Sequence, residues 1–543
     1  MSDGKVLASA ASATSYTMAI QLTFRLLTFV LNSIMVRYIS RDLLGVVNVR
    51  LPLLYTTILF LTNEAFYRAC LSSKRTNCWP QIVNVVWLTV PLGAFYAVLF
   101  GVVWTQYLER PDPQVVQNYD LAVFCFCLSA VLETLMQPLF VIGQIMLFVK
   151  IKAIIDGICL AVRCTVTAIL VVNYPHWGII PFFVMQLVYS ALMASLYYIY
   201  FVYYVCYVHP PPDFPFQSVR DFFPKMIPDK PFIDSELAGL ILSFFKQSLL
   251  KQMLTEGERY VMTFFRVLSF ADQGVYDVIN NLGSLAARFI FLPIEDGFYL
   301  FTTQTLHRGA IAKNQSSESM DLVSRVFESL LRIVVLIGVT IVTFGYGYSH
   351  LLLDMYGGAT ISTGSGPTLL RWYCAYVLLI AVNGVTEGFK NATMNQSQVD
   401  GYNRKMCWFT AIFLVSSLLL TYPFGSIGFI LANCLNMISR IVHSVRYIRS
   451  FYQNTAFNPL NGCHLSVKII LSYVMAFVVV GASEAMLCCS HGWLLRIVHI
   501  FIGALTLILI CFMIWQTEKT LFEFVRKQYS MVHSERSEKL KSS

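Results

Sequence analysis

Long apolar runs separated by short polar breaks organise almost the whole chain. Runs such as "VVWLTVPLGAFYAVLFGVVW", "IVVLIGVTIVTFGYGYSHLLL" and "IFIGALTLILICFMIW" match or approach the roughly 20 apolar residues that cross a bilayer as a helix. The pattern predicts about fourteen spans, near 14–37, 43–70, 82–107, 119–147, 151–173, 177–206, 237–265, 273–303, 326–350, 368–389, 402–421, 424–446, 465–487 and 493–516. Helices satisfy their own backbone in lipid, so the expected fold is an all-α polytopic membrane protein. Its plan is two six-helix bundles around a central cavity, plus two C-terminal helices.

The breaks carry the organisation. Seven prolines fall within 207–236, which forbids a continuous helix and marks a cytosolic linker. The expected parts are an N-terminal bundle over 1–206, the linker 207–236, a second bundle over 237–449, helices 13 and 14 over 450–516, and a basic tail over 517–543. The two bundles echo each other. "GVVNV" beginning at Gly45 matches "GVYDV" beginning at Gly274, and "NEAFY" matches "EDGFY", as in transporters built from parallel repeats.

Composition agrees, at 57% hydrophobic, 14% aromatic and only 13% charged residues. The net charge of +9 requires no nucleic acid, because Lys and Arg crowd alternate loops: "SSKRTN", "FVKIK", "HRGAIAKNQ" and "NRK". The opposite loops, such as "NYPHWG" and "TYPFG", lack them, which predicts cytosolic N- and C-termini. The polar opening "MSDGKVLASAASATSY" predicts no cleavable signal peptide. Asn314, Asn391 and Asn395 head N-x-S/T matches in cytosolic loops and are expected to be unglycosylated. The fourteen cysteines form no metal-binding pattern, and no metal, cofactor or catalytic set is expected.

The charges inside the spans do not fit lipid. "KQSLLKQMLTEGERY", residues 246–260, brings Lys246, Lys251, Glu256, Glu258 and Arg259 into the seventh span. A charge at the bilayer centre costs about 2.5–3.5 kcal/mol, so these side chains must face something else. In the second span Arg50, Thr57, Glu64 and Arg68 fall within about 40° of one helical line. Asn281, Arg288, Glu295 and Tyr299 repeat that spacing in the eighth, with Pro293 bending it, and Arg25 lies in the first. A water-filled cavity lined by spans 1, 2, 7 and 8 accounts for them together; individually, Glu64 with Arg68 and Lys251 with Glu256 also suit internal ion pairs. Gly257 marks the seventh span for bending. The arginine excess suits a phosphate, which guanidinium binds bidentately. Glu133, Gln137, Asp156, Arg163, Arg371, Glu387 and Glu484 are expected as helix-to-helix polar contacts. Lys539 and Lys541 form a dilysine pattern for endoplasmic reticulum retrieval.

"RLLTFVLNSIMVRYISRDLLGVVNVRL", "FFKQSLLKQMLTEGERYVMTF", "DQGVYDVINNLGSL" and "GFILANCLNM" resemble the eukaryotic Rft-type oligosaccharide-lipid translocation proteins, over nearly the whole chain. That family is grouped with bacterial lipid II flippases and multidrug-and-toxin extruders. The resemblance implies a dolichyl-diphosphate heptasaccharide ligand that crosses, or is helped across, the endoplasmic reticulum membrane for N-glycosylation. Arg25, Arg50, Arg68, Lys251, Arg259 and Arg288 would then face the diphosphate, with Glu64, Glu256, Glu258 and Glu295 as cavity acids. Membrane lipids and other glycosylation-pathway proteins are the further implied partners. A scaffold that binds the same lipid without moving it, and an antiporter of the same fold, remain alternatives. A glycosyltransferase is disfavoured by short luminal loops without D-x-D.

Overall fold

The computed structural model describes residues 23–24, 26–72, 79–146, 148–208, 214–226, 231–310, 312, 315–453, 455–488, 492–519, 521 and 523. Arg25, Asn314, Lys539 and Lys541 lie outside them. The helices are α1 Leu26–Val36, α2 Arg41–Ser72, α3 Trp79–Tyr107, α4 Tyr119–Ile145, α5 Val149–Asn173, α6 Ile180–Val208, α7 Ser235–Phe265 and α8 over 270–305. They continue as α9 Ser317–Gly357, α10 Gly366–Thr393, α11 Gln396–Phe424, α12 Ser426–Tyr452, α13 Val467–Leu487 and α14 Trp493–Thr517. No strand occurs among the described residues, so the expected all-helical membrane architecture is the one adopted. By length and composition, eleven described helices can cross a membrane. The described part of α1 is short, and α7 and α8 carry too many polar residues to join that set.

Local sequence sets the helix limits. Ser40 accepts from the Leu43 amide to cap α2, and Asp234 accepts from Glu236 to cap α7. Asn395 and Gln398 form a reciprocal capping box at the start of α11, satisfying amides that have no intrahelical partner. Gly425, at φ 57°, makes the tight α11–α12 turn, where a side chain would be strained. Two π-helical turns, Val46–Arg50 in α2 and Ala287–Phe291 in α8, each run directly into Leu-Pro: Leu51-Pro52 and Leu292-Pro293. A proline withholds the amide that the preceding turn needs, and the wider turn absorbs the defect. The two echoing segments therefore share a backbone irregularity as well as residues.

The chain forms two compact units, residues 1–277 with 356–360, and residues 278–355 with 361–543. In the first, α2 packs on α4 and α7, and α4 on α6. Its core gathers Leu139, Cys159, Phe201 and the linker residues Phe214, Phe216 and Phe222. The described linker residues dock on α3, where Asn84 donates to the carbonyls of Lys225 and Phe232, and Trp87 donates to that of Phe222. In the second unit, α10 packs on α12 and on the second half of α8, α11 packs on α12, and α13 pairs with α14.

The docked linker has a pH dependence. Burial works against the charge of Asp221, yet Lys225 and the amides of Ser218 and Gln217 hold its carboxyl below the ordinary value. A depressed carboxyl stabilises the fold above its unfolded value of about 4 and loses that contribution below it. Protection of the 217–225 amides, taken relative to the intrinsic exchange rate at each pH, should therefore fall as pH drops below about 4, and Asp221→Asn should remove that pH dependence of protection.

Candidate functional site

The polar line along α2 meets a matching line on α7. Thr57 shares a 2.8 Å hydrogen bond with the hydroxyl of Tyr260, which also accepts from Gln252 at 3.2 Å. Glu64 accepts from Arg68 at 2.8 Å and from Lys251 at 3.1 Å. The helical period that places Arg50, Thr57, Glu64 and Arg68 on one face thus lets α7 answer them in antiparallel order. Lys251 pairs with Glu64 across helices and not with Glu256. Lys246 is exposed.

Arg259 is the pivot of the charged stretch. Its guanidinium donates to Glu256 at 3.1 Å and to Asp277 of α8 at 3.0 Å. Glu258 accepts from the Tyr276 hydroxyl at 3.0 Å. Much of the charge that hydropathy could not place is therefore neutralised inside the first unit. Two partnered acids per arginine also satisfy the fork geometry that a guanidinium prefers.

Arg50 is the exception. It is fully buried, donates through Nη1 to the Thr263 carbonyl at 3.0 Å, and lies over the Phe270 ring at 5.1 Å. Its own carbonyl accepts from Trp104 at 3.1 Å. Its Nε and Nη2 have no hydrogen-bond partner, a costly arrangement for a buried cation.

In the second unit Arg288 is exposed and donates to Ser284 and to Asn281, the latter at 3.4 Å. No carboxylate pairs with it among the described ion pairs. Glu295 faces Gly384 and Gly388 of α10, and it too has no ion-pair partner among the described residues. The structure thus brings Glu64, Arg68, Lys251, Arg259 and Glu256 into pairs and leaves Arg288 with polar neighbours only.

Sequence reasoning undervalued one cluster. Glu387 of α10 accepts from Asn383 at 2.9 Å, Arg440 at 2.5 Å, Lys390 at 3.4 Å and the Tyr402 hydroxyl. Lys390 is fully buried, with its ammonium 3.3 Å from the centre of the Tyr402 ring. The Glu387 and Lys390 spacing of three is a helical pair that could have been noticed. Arg371 and Glu484 do make a helix-to-helix contact, at 2.6 Å. Among the described residues no group of His, Cys, Asp and Glu side chains could hold a metal.

Known proteins share both the sequence and the helical plan. Residues 9–528 match the model of the family described as "Rft protein". The chain is 46% identical to the Man(5)GlcNAc(2)-PP-dolichol translocation protein RFT1 of Xenopus tropicalis, over 99% of this chain and 100% of that protein. It is 45% identical to the protein of that name from Mus musculus, over 97% and 98% of the two chains. Among solved structures, the lipid II flippase MurJ in an inward closed conformation aligns with a TM-score of 0.54 at 12% identity, covering 92% of this chain and 99% of that one. An inward-facing multidrug resistance MATE transporter of the MOP superfamily aligns at 0.53 and 13% identity, over 79% and 96%. Identities this low speak for the fold alone. The full-length match to the family model, joined to the two close relatives, shows that this chain belongs to the Rft protein family.

Proposed function

We propose that this protein moves dolichyl-diphosphate-linked oligosaccharide, or directly assists its movement, from the cytosolic to the luminal leaflet of the endoplasmic reticulum membrane. The observation that carries this reading is the 46% identity, over the full length of both chains, to a protein named for translocating that lipid. The site chemistry supports it. A diphosphate needs cations that are not already engaged, and Arg50 and Arg288 are the described arginines of the α2 and α8 stripes without a carboxylate partner. Arg25 would join them, with the paired Arg68, Lys251 and Arg259 supplying a positive background. The protein would act by alternating access of an arginine-lined cavity, as a carrier and not as an enzyme. Both termini would be cytosolic, with Lys539 and Lys541 retrieving the protein to the endoplasmic reticulum.

The test uses purified protein in sealed liposomes with a dolichyl-diphosphate oligosaccharide whose luminal exposure can be read enzymatically. Each charge-assisted hydrogen bond is worth about 1.5–3 kcal/mol, so Arg288→Gln should slow transfer roughly ten- to hundredfold. Combined neutralisation of Arg25, Arg50 and Arg288 should bring it to the protein-free rate. Equal transfer with and without wild-type protein would reject transport, and retained binding of the lipid would then favour a scaffold.

A further inference from the structure

Glu133 and Asp156 are two carboxylates within the spans of the first unit. Glu133 lies midway along α4 and accepts a hydrogen bond from the Tyr55 hydroxyl of α2. Asp156 lies about two turns into α5. Neither takes part in an ion pair among the described residues. Arg163 of α5 is engaged elsewhere: Nη1 donates to Gln186 at 2.8 Å, and the guanidinium stacks 4.6 Å from the Tyr189 ring centre. Gln186 is in turn tied to Ser129 at 3.2 Å. Lys152, beside Asp156, sits 4.9 Å over the Phe140 ring.

Tyr197 of α6 is 3% exposed, and its hydroxyl has no hydrogen-bond partner among the described residues. The groups facing Glu133 are thus Tyr55 from α2, Asp156 and Arg163 from α5, and Tyr189 from α6. From α3, Gly93 comes up against the adjacent Thr134. An intramembrane carboxyl without a cation is stable only if it can be neutral, and the group that makes it neutral is a proton.

We propose that Glu133 is a proton-binding site of the N-terminal unit, with Tyr55 as its positioning hydroxyl. In the charged state Tyr55 donates to the carboxylate. On protonation the carboxyl becomes neutral and keeps an oxygen for the Tyr55 hydroxyl, so the proton removes the charge at Glu133 without breaking that contact. Of the acids expected in the cavity, Glu64 and Glu256 are less suited to this role, because they are already paired with basic groups. Proton binding at Glu133 stands whether or not the protein transfers lipid.

Infrared difference spectroscopy of the full chain in lipid nanodiscs reads the carbonyl stretch of a protonated carboxyl directly. A band that grows as the pH is lowered is expected. It should vanish in Glu133→Gln, persist in Asp156→Asn, and change frequency in Tyr55→Phe, where the hydrogen bond is gone. Identical difference spectra for wild type and Glu133→Gln would overturn the assignment, as would loss of the band in Asp156→Asn alone. If Glu133→Gln does not fold, Tyr55→Phe decides: an unmoved band rejects Glu133 as the proton's site.

Discussion

Gly45→Val should yield no correctly folded protein, and even Gly45→Ala should be severely impaired. A Cβ built at Gly45 would run into the carbonyl oxygen of Phe270, at the start of α8. One at Gly274 would stand 2.6 Å from the Gly45 nitrogen and 2.7 Å from the Arg41 carbonyl oxygen. These are backbone atoms, which cannot swing aside as a side chain can. The cost should exceed the ~1–3 kcal/mol of ordinary overpacking. Membrane helices approach this closely only where small residues meet, since burial against lipid supplies no extra drive for association. Gly297 in the same α8 is the control. Nothing lies within 4 Å of a Cβ there, so Gly297→Ala should be tolerated or slightly stabilising. Monodispersity and thermal unfolding in detergent read both. A Gly45→Val protein as stable as wild type would show that this contact does not hold the fold.

The second large effect concerns the buried network on α10, and its asymmetry is the informative part. Glu387 serves two cations at once, Lys390 and Arg440. Glu387→Gln leaves both without their shared counter-charge, and breaking a buried pair in this way costs about 3–5 kcal/mol. Lys390→Met removes one cation, keeps a similar apolar volume, and leaves Glu387 with Arg440. It should therefore cost much less than Glu387→Gln, although it loses the stacking on Tyr402. Adding Lys390→Met to Glu387→Gln should recover part of the loss, because only one unpaired cation then remains. Thermal unfolding of the three variants orders them. If Lys390→Met proved the most damaging, the network would depend on the ammonium and not on the carboxylate.

The same physics explains which parts of this protein can be read from its residues. Runs of about twenty apolar side chains announce helices in lipid because only a helix satisfies its backbone within a single segment. The echo of "GVVNV" and "GVYDV" is visible as a string, and so is the α2 stripe, because an α-helix imposes its period on a single segment. The contact between the two aligned glycines is not visible, since nothing in one segment says which other segment it will touch. The charged stretch of α7 is legible as unfit for lipid, but its partners are not. Along the chain Lys251 and Glu256 suit each other, yet folding gives Lys251 the carboxylate of Glu64 from another helix. Lys390 illustrates the limit most sharply. Near the end of a span, a lysine reads as one that reaches for water, and only the approach of Tyr402 and Arg440 from α11 and α12 turns it into a buried ion.

Local periodicity and transfer free energy belong to single segments. From them alone come a helical membrane chain, two echoing halves, a family resemblance, and a set of charges that lipid would reject. How those charges are satisfied emerges only when the segments meet. Arg259 is paired twice, Arg50 is buried with donors to spare, Arg288 has only polar neighbours, and Glu133 is left to a hydroxyl. The reason is that Coulomb and hydrogen-bond energies depend on a few ångströms between residues far apart in the chain, a distance that no single stretch of sequence contains.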